Sequence, residues 1–146
     1  MRYPDLESME HPDDLFKGSH AAVLLFLTES ESSGHWICCL DHSDAYEVFD
    51  SFGTAIDGDR AWLDDKQKMD FHECAPLLSN LLKAGSKKIT HNTKKLQGDD
   101  MDTCGFWVVA RILNPTPSLP SFVSKYIKGP GSPDEIVVAE IAPKLR

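Results

Sequence analysis

Apolar residues fall along this chain in short blocks separated by polar stretches that carry glycine or proline, and the spacing inside each block predicts its structure. Ala21–Leu27 is a continuous apolar run, which predicts a buried strand over 20–28. Gly34–Leu40 and Ala45–Asp50 are short runs of strand formers on either side of the polar Asp41-His42-Ser43-Asp44, the pattern of a β-hairpin. Cys74, Leu77, Leu78, Leu81 and Leu82 recur at helical spacing, and Gly85 closes the stripe. Ile89–Thr93 predicts a short strand. The segment Gly105–Leu113 follows the polar run Gln97–Thr103 and halts at Asn114-Pro115, which predicts a helix capped by Asp102 or Thr103 and stopped by Pro115. The β-branched Val108 and Val109 leave a buried strand open there. Residues 121–128 predict a last helix and Glu135–Ile141 an edge strand. Residues 1–18 are acidic and proline-punctuated, an irregular lead-in with one helical turn at Asp14–Phe16. Residues 54–70 read as a polar surface loop with a short helix around Ala61–Leu63.

The 146 residues, 41% hydrophobic, predict one domain over 1–146 with a core that needs no disulfide staples. Within it, 1–18 is the lead-in, 20–113 the core and 114–146 a C-terminal extension. The longest apolar run is too short to cross a bilayer, and no secretory signal is visible, so an intracellular, cytoplasmic protein without a membrane partner is expected. Neighbouring Cys38 and Cys39 point to opposite faces of a strand, and with Cys74 and Cys104 they predict reduced thiols. His72, Cys74 and His91 lack the paired spacing of a zinc site, so no metal and no cofactor are expected. The net charge of −8 disfavours nucleic acid and favours a basic protein surface as partner.

The chemistry gathers on four ordered features: His35-Trp36, Asp50-Ser51, Gln97 and Cys104-Gly105. Cys104 falls in the first turn of the predicted helix, where free N–H groups and the positive dipole end favour thiolate over thiol. Gly105 leaves the sulfur approachable. A hairpin turn centred between His42 and Ser43 opposes His35 to Asp50 with Cβ atoms roughly 4.5–5.5 Å apart, near enough for the carboxylate to accept a ring N–H. Taken singly, each residue has a plainer reading. His35 fits a satisfied strand histidine, Asp50-Ser51-Phe52-Gly53 a turn, and Cys104 a buried thiol. Trp36 and Trp107 fit core positions, with Trp36 also a shield for the His35–Asp50 pair.

In their order and spacing these features resemble the cysteine-protease clan that includes the adenovirus protease and the SUMO-specific, ubiquitin-like proteases (clan CE), over residues 20–113. The resemblance implies an α+β fold, a small mixed sheet packed against a central helix bearing the nucleophilic cysteine, with a papain-like core. It implies Cys104 as nucleophile, His35 as general base and acid, Asp50 as the group that orients His35, and Gln97 as an oxyanion donor beside the Cys104 backbone N–H. It also implies cleavage after a Gly-Gly-like terminus, with ubiquitin or a ubiquitin-like modifier as substrate and partner, by a monomeric, virus-encoded or bacterial-effector enzyme in the host cytoplasm. Trp36, Asp99, Asp100, Asp102 and Gly105 are the candidate substrate contacts, the acids being matched to arginines ahead of the cleaved end. The alternatives are a viral precursor-processing endopeptidase and an inactive module that binds ubiquitin-like proteins.

Overall fold

The computed structural model describes residues 1–30, 33–99 and 101–145. Strands β1 (Ala21–Ser30), β2 (Ser33–Asp41), β3 (Ala45–Phe49) and β4 (Lys88–His91) form one sheet in that spatial order. The first three are antiparallel, and β4 joins β3 in parallel. Around the sheet lie α1 (Pro12–Phe16), α2 (Asp65–Asp70), α3 (Leu77–Lys83), α4 (Cys104–Leu113), α5 (Leu119–Ile127) and α6 (Pro133–Ile141). The class is α+β with a small mixed sheet.

Strand alternation sends successive residues into two apolar cores, one on each face. Ile37, Cys39, Tyr46 and Val48 pack with Leu78, Leu81 and Leu82 of α3. Cys38, Leu40 and Phe49 pack with Trp107, Val108 and Ala110 of α4, which α5 and α6 cover in turn through Phe122, Tyr126, Val137 and Ile141. Within α4 the buried positions are Cys104, Trp107, Val108, Ala110 and Arg111, a helical period that overrides the strand preference of the two valines. Each fully buried Leu or Phe in these clusters stabilises the fold by about 1.5–3 kcal/mol.

The hairpin register differs from expectation by two residues. Cys38 pairs with Phe49 and Leu40 with Glu47, because Ser43-Asp44 form a two-residue turn closed by the His42 N–H donating to Ala45 O at 2.9 Å. A slip of two keeps every side chain on its face, so His35 and Asp50 meet as diagonal neighbours instead of directly opposed ones. Gly34, just before His35, is required by close packing. A Cβ there would lie 1.7 Å from Phe26 O on β1.

Three other expectations are corrected. The lead-in is part of the fold: a 3-10 turn spans Tyr3–Ser8, Tyr3 and Leu6 are buried in the α3-side core, and Leu25 of edge strand β1 donates its N–H to Met1 O. Cys74 is exposed, since Pro76 holds the start of α3 at Leu77. Glu135–Ile141 is helical. Ser132-Pro133 followed by Asp134 and Glu135 is a helix start, which outweighs the β-branched residues behind it. Among the described residues no helix is long and apolar enough to cross a membrane.

Glu73 covers the β1 edge from the loop before α3, accepting the Leu27 N–H at 2.8 Å, while its other oxygen meets no donor among the described residues. Burial pushes its carboxyl from an ordinary 4.5 up to about 7. The folded state therefore holds this proton more tightly than the unfolded chain. That contribution is complete below pH 4.5 and is lost as pH rises through about 7. Glu73→Gln is expected to raise the melting temperature at pH 8 relative to wild type, with the gain shrinking toward pH 4. An equal shift at both pH values would contradict this account.

Candidate active site

The site lies where β2 begins, β3 ends and α4 starts. His35 Nε2 and Asp50 Oδ1 are 2.8 Å apart, both side chains almost wholly buried, which leaves ring Nδ1 for the sulfur. Cys104, at the first position of α4, sits against the His35 ring and the Trp36 backbone N–H. Burial opposes ionising the thiol, but those two donors outweigh it and hold Cys104 below its ordinary value, although the Asp102 charge works against them. For His35, burial opposes protonation, and the hydrogen bonds to Asp50 and Cys104 overcome it, lifting the imidazole to about 9. Asp50 is held below the usual carboxylate range; burial pushes it up, but its hydrogen bond to His35 prevails. The arrangement favours a thiolate–imidazolium pair supported by a carboxylate.

Asp50 is fixed from two sides. Asn92, just past β4, accepts the Asp50 N–H at 3.0 Å and donates to the Asp50 carbonyl at 2.6 Å, extending the β3–β4 ladder with a side chain. Asp50 Oδ1 also accepts the Phe52 N–H at 2.9 Å, so the residue initiates a turn and binds the imidazole at once. The turn aims Phe52 at His35, ring centroids 4.7 Å apart, and Trp62 meets the imidazole edge-on at 5.4 Å. These two aromatics are the rings that pack on His35. Trp36 is 37% exposed and is no core residue, while Trp107 is fully buried.

Gln97 is buried and held at three points. Its backbone N–H donates to Ser51 O at 3.0 Å, its Oε1 accepts the Ser51 hydroxyl at 2.6 Å, and its Nε2 donates to Met101 O at 2.6 Å. The Met101 carbonyl can only accept, which settles the orientation of the carboxamide. Asp134, at the start of α6, then closes the loop between Gln97 and Cys104. It accepts from the Gly98 N–H at 2.8 Å, the Thr103 hydroxyl at 2.6 Å and Trp107 Nε1 at 3.0 Å. Thr103 occupies the cap position of α4 but spends its hydroxyl on Asp134, so neither it nor Asp102 caps the helix with a side chain. The C-terminal extension is thus built into the site. Asp134→Asn, which puts an amide N–H against the Gly98 or the Thr103–Trp107 donors, is expected to destabilise the fold by about 1–3 kcal/mol. Chemical denaturation measures it, and an unchanged midpoint would refute the clamp.

Asp99 and Asp102 are exposed in the segment that precedes Cys104 in the chain, Asp99 in an ion pair with Lys95. Asp100 lies outside the described residues. A Cβ on Gly105 would meet nothing within 4 Å, in keeping with an open approach. A cavity of about 760 Å³ lies elsewhere, between the β3–β4 edge and the loop from α4 to α5, and neither Cys104 nor His35 lines it. Among the described residues one set of potential metal ligands converges, His35, Asp50 and Asp59, with ligand atoms within 4.8 Å of one another. Asp59, Asn92 and Asp134 carry no pattern in the sequence that separates them from surface residues, and the one signal for Trp62 is that it is a large aromatic in a polar tract.

Comparison with known protein families and with curated proteins found no match.

Proposed function

We propose that the protein is a cysteine protease or isopeptidase in which Cys104 attacks a carbonyl carbon. The observation that carries the reading is a thiol at a helix N-terminus, biased toward thiolate, against an imidazole already bound to a carboxylate. The sulfur forms a C–S bond as the carbonyl π electrons move to oxygen. That oxyanion would rest on the Cys104 backbone N–H and the second Nε2–H of Gln97, the first being taken by Met101. His35 Nδ1 gives its proton to the departing amine, the C–N bond breaks, and a thioester remains. Water, deprotonated by His35, then hydrolyses the thioester and frees the thiol. Activity falls at acid pH as Cys104 protonates, and again as pH rises through about 9, where His35 loses its proton.

The substrate class follows from resemblance and charge. A papain-like core of the adenovirus and ubiquitin-like protease type accepts a Gly-Gly-like end, and exposed Asp99 and Asp102 on a chain of net charge −8 complement arginines ahead of it. Removal of ubiquitin or a ubiquitin-like modifier, by a monomer inside the cell, is the reading this supports best. A module that only binds such modifiers would need none of the thiolate-stabilising contacts at Cys104. The test is a panel of ubiquitin, SUMO and related modifiers, each carrying a C-terminal electrophile. Labelling of Cys104 by one of them supports a modifier protease. Labelling by none, with Cys104 still alkylated by a small haloacetamide, would move the assignment to precursor processing.

A further inference from the structure

Asp59 is 2% exposed, sits within 4.8 Å of the His35–Asp50 pair, and its Oδ1 meets no N–H or O–H donor among the described residues. An ionised carboxylate in that position would face a second carboxylate in a buried pocket, beside an imidazole that Asp50 already holds. The titratable groups facing it are Asp50 and His35, and the Thr54 hydroxyl adds one uncharged donor. Neighbouring Arg60 is turned away, its Nε donating to Asp57 O at 3.1 Å and its Nη1 to Cys74 O at 2.9 Å. Asp50 has the better claim to the negative charge, since it holds the His35 ring and the Phe52 N–H. A proton between the two carboxyl groups satisfies the orphan oxygen. A zinc ion shared by His35 and Asp50 fits less well. Zinc would hold their ligand atoms about 3.3 Å apart, whereas the observed 2.8 Å is a direct hydrogen bond.

We propose that Asp59 is carried as a neutral carboxylic acid that donates its O–H to Asp50, making it a positioning residue for the carboxylate that orients His35. Its functional arm rests on the thiol-protease reading above. Burial, followed by the contact with Asp50, pushes the Asp59 carboxyl up to about 9, so the group stays protonated at neutral pH and ionises in the range where His35 also titrates.

The experiment is carbon NMR of the whole chain labelled at aspartate carboxyl carbons, with Asp59→Asn for assignment. One carboxyl resonance is expected at the protonated position at pH 7, absent from Asp59→Asn and titrating near pH 9. Finding every aspartate carboxyl ionised at pH 7 would overturn the proposal. Alkylation of Cys104 by chloroacetamide at pH 6 reads the positioning role. Asp59→Asn, whose amide supplies an N–H in place of the O–H, should react within about threefold of wild type, and Asp59→Ala about tenfold more slowly, one unit of thiol pKa. Equal rates for Asp59→Ala and wild type would sink the role. If Asp59→Ala does not fold, the resonance decides alone. A wild-type Cys104 that reacts no faster than an ordinary thiol would defeat the protease reading, while the carboxyl resonance would still report where the proton sits.

Discussion

Cys104→Ser is expected to lower turnover of a cleavable substrate by on the order of 10⁴-fold or more, the scale on which loss of a nucleophile is felt when the remaining groups work as a unit. The physical reason is acidity. The His35 ring and the Trp36 N–H hold the Cys104 thiol below its ordinary value. A serine hydroxyl lies many units higher and is not deprotonated by an imidazole whose own proton is retained to about 9. The measurement pairs hydrolysis of a modifier C-terminal fluorogenic amide with mass-spectrometric mapping of iodoacetamide at pH 6. The chain supplies its own controls, because Cys38 and Cys39 are sealed in the two cores with thiols pushed up by burial, and Cys74 is exposed. Cys104 should be alkylated ahead of Cys74. Persistent hydrolysis in Cys104→Ser, or Cys74 reacting first, would remove Cys104 from the nucleophile's role.

Arg111→Met is expected to destabilise the protein by about 3–5 kcal/mol, the penalty for leaving one charge of a buried ion pair without its partner. Arg111 is fully buried in α4. Its Nε reaches Glu47 Oε2 at 2.8 Å and its Nη2 reaches Glu47 Oε1 at 2.7 Å, a two-point bond between the helix and the middle of β3. Nη1 binds the carbonyls of Asn114 and Pro117, which shapes the exit from the helix. With methionine at 111, Glu47 keeps only His42, at 3.0 Å, as a charged or polar side-chain partner among the described residues. The double variant Glu47→Leu/Arg111→Met should recover much of the loss, since apolar residues of similar size commonly replace a buried pair without penalty. Urea titration of the two single variants and the double one checks it. A single-variant loss under about 1 kcal/mol would mean that the pair contributes no more than a surface salt bridge.

The two interactions differ in how visible they were along the chain. Cys104 stood out because a polar run, a small residue and an apolar segment ending in Asn114-Pro115 mark a helix start, and helix starts favour anions. Arg111 lies within the apolar segment Gly105–Leu113 and Glu47 within the strand run Ala45–Asp50. Nothing local to either announces that they share a bond across 64 positions. The same holds for Asp134, whose three donors come from Gly98, Thr103 and Trp107, and for Asn92, which imitates a strand beside Asp50. The hairpin shows an intermediate case. Strand identity and facing were legible from alternation, while the register depended on which two residues made the turn.

By itself, the sequence determined the β2–β3 hairpin, the strand character of β1, the helical spacing of α3 and α5, a helix start at Cys104 that left a buried strand open, and the short list of thiol, imidazole, carboxylate and carboxamide side chains near these elements. These follow from periodicity and side-chain chemistry, which act over a few residues. Only the tertiary structure decided that Asp59 and Trp62 join His35, that α6 is a helix clamping the loop before Cys104, and that the lead-in covers the edge of β1. Those outcomes turn on burial and on the need of buried polar groups for partners, and a partner distant in the chain leaves no trace in local spacing.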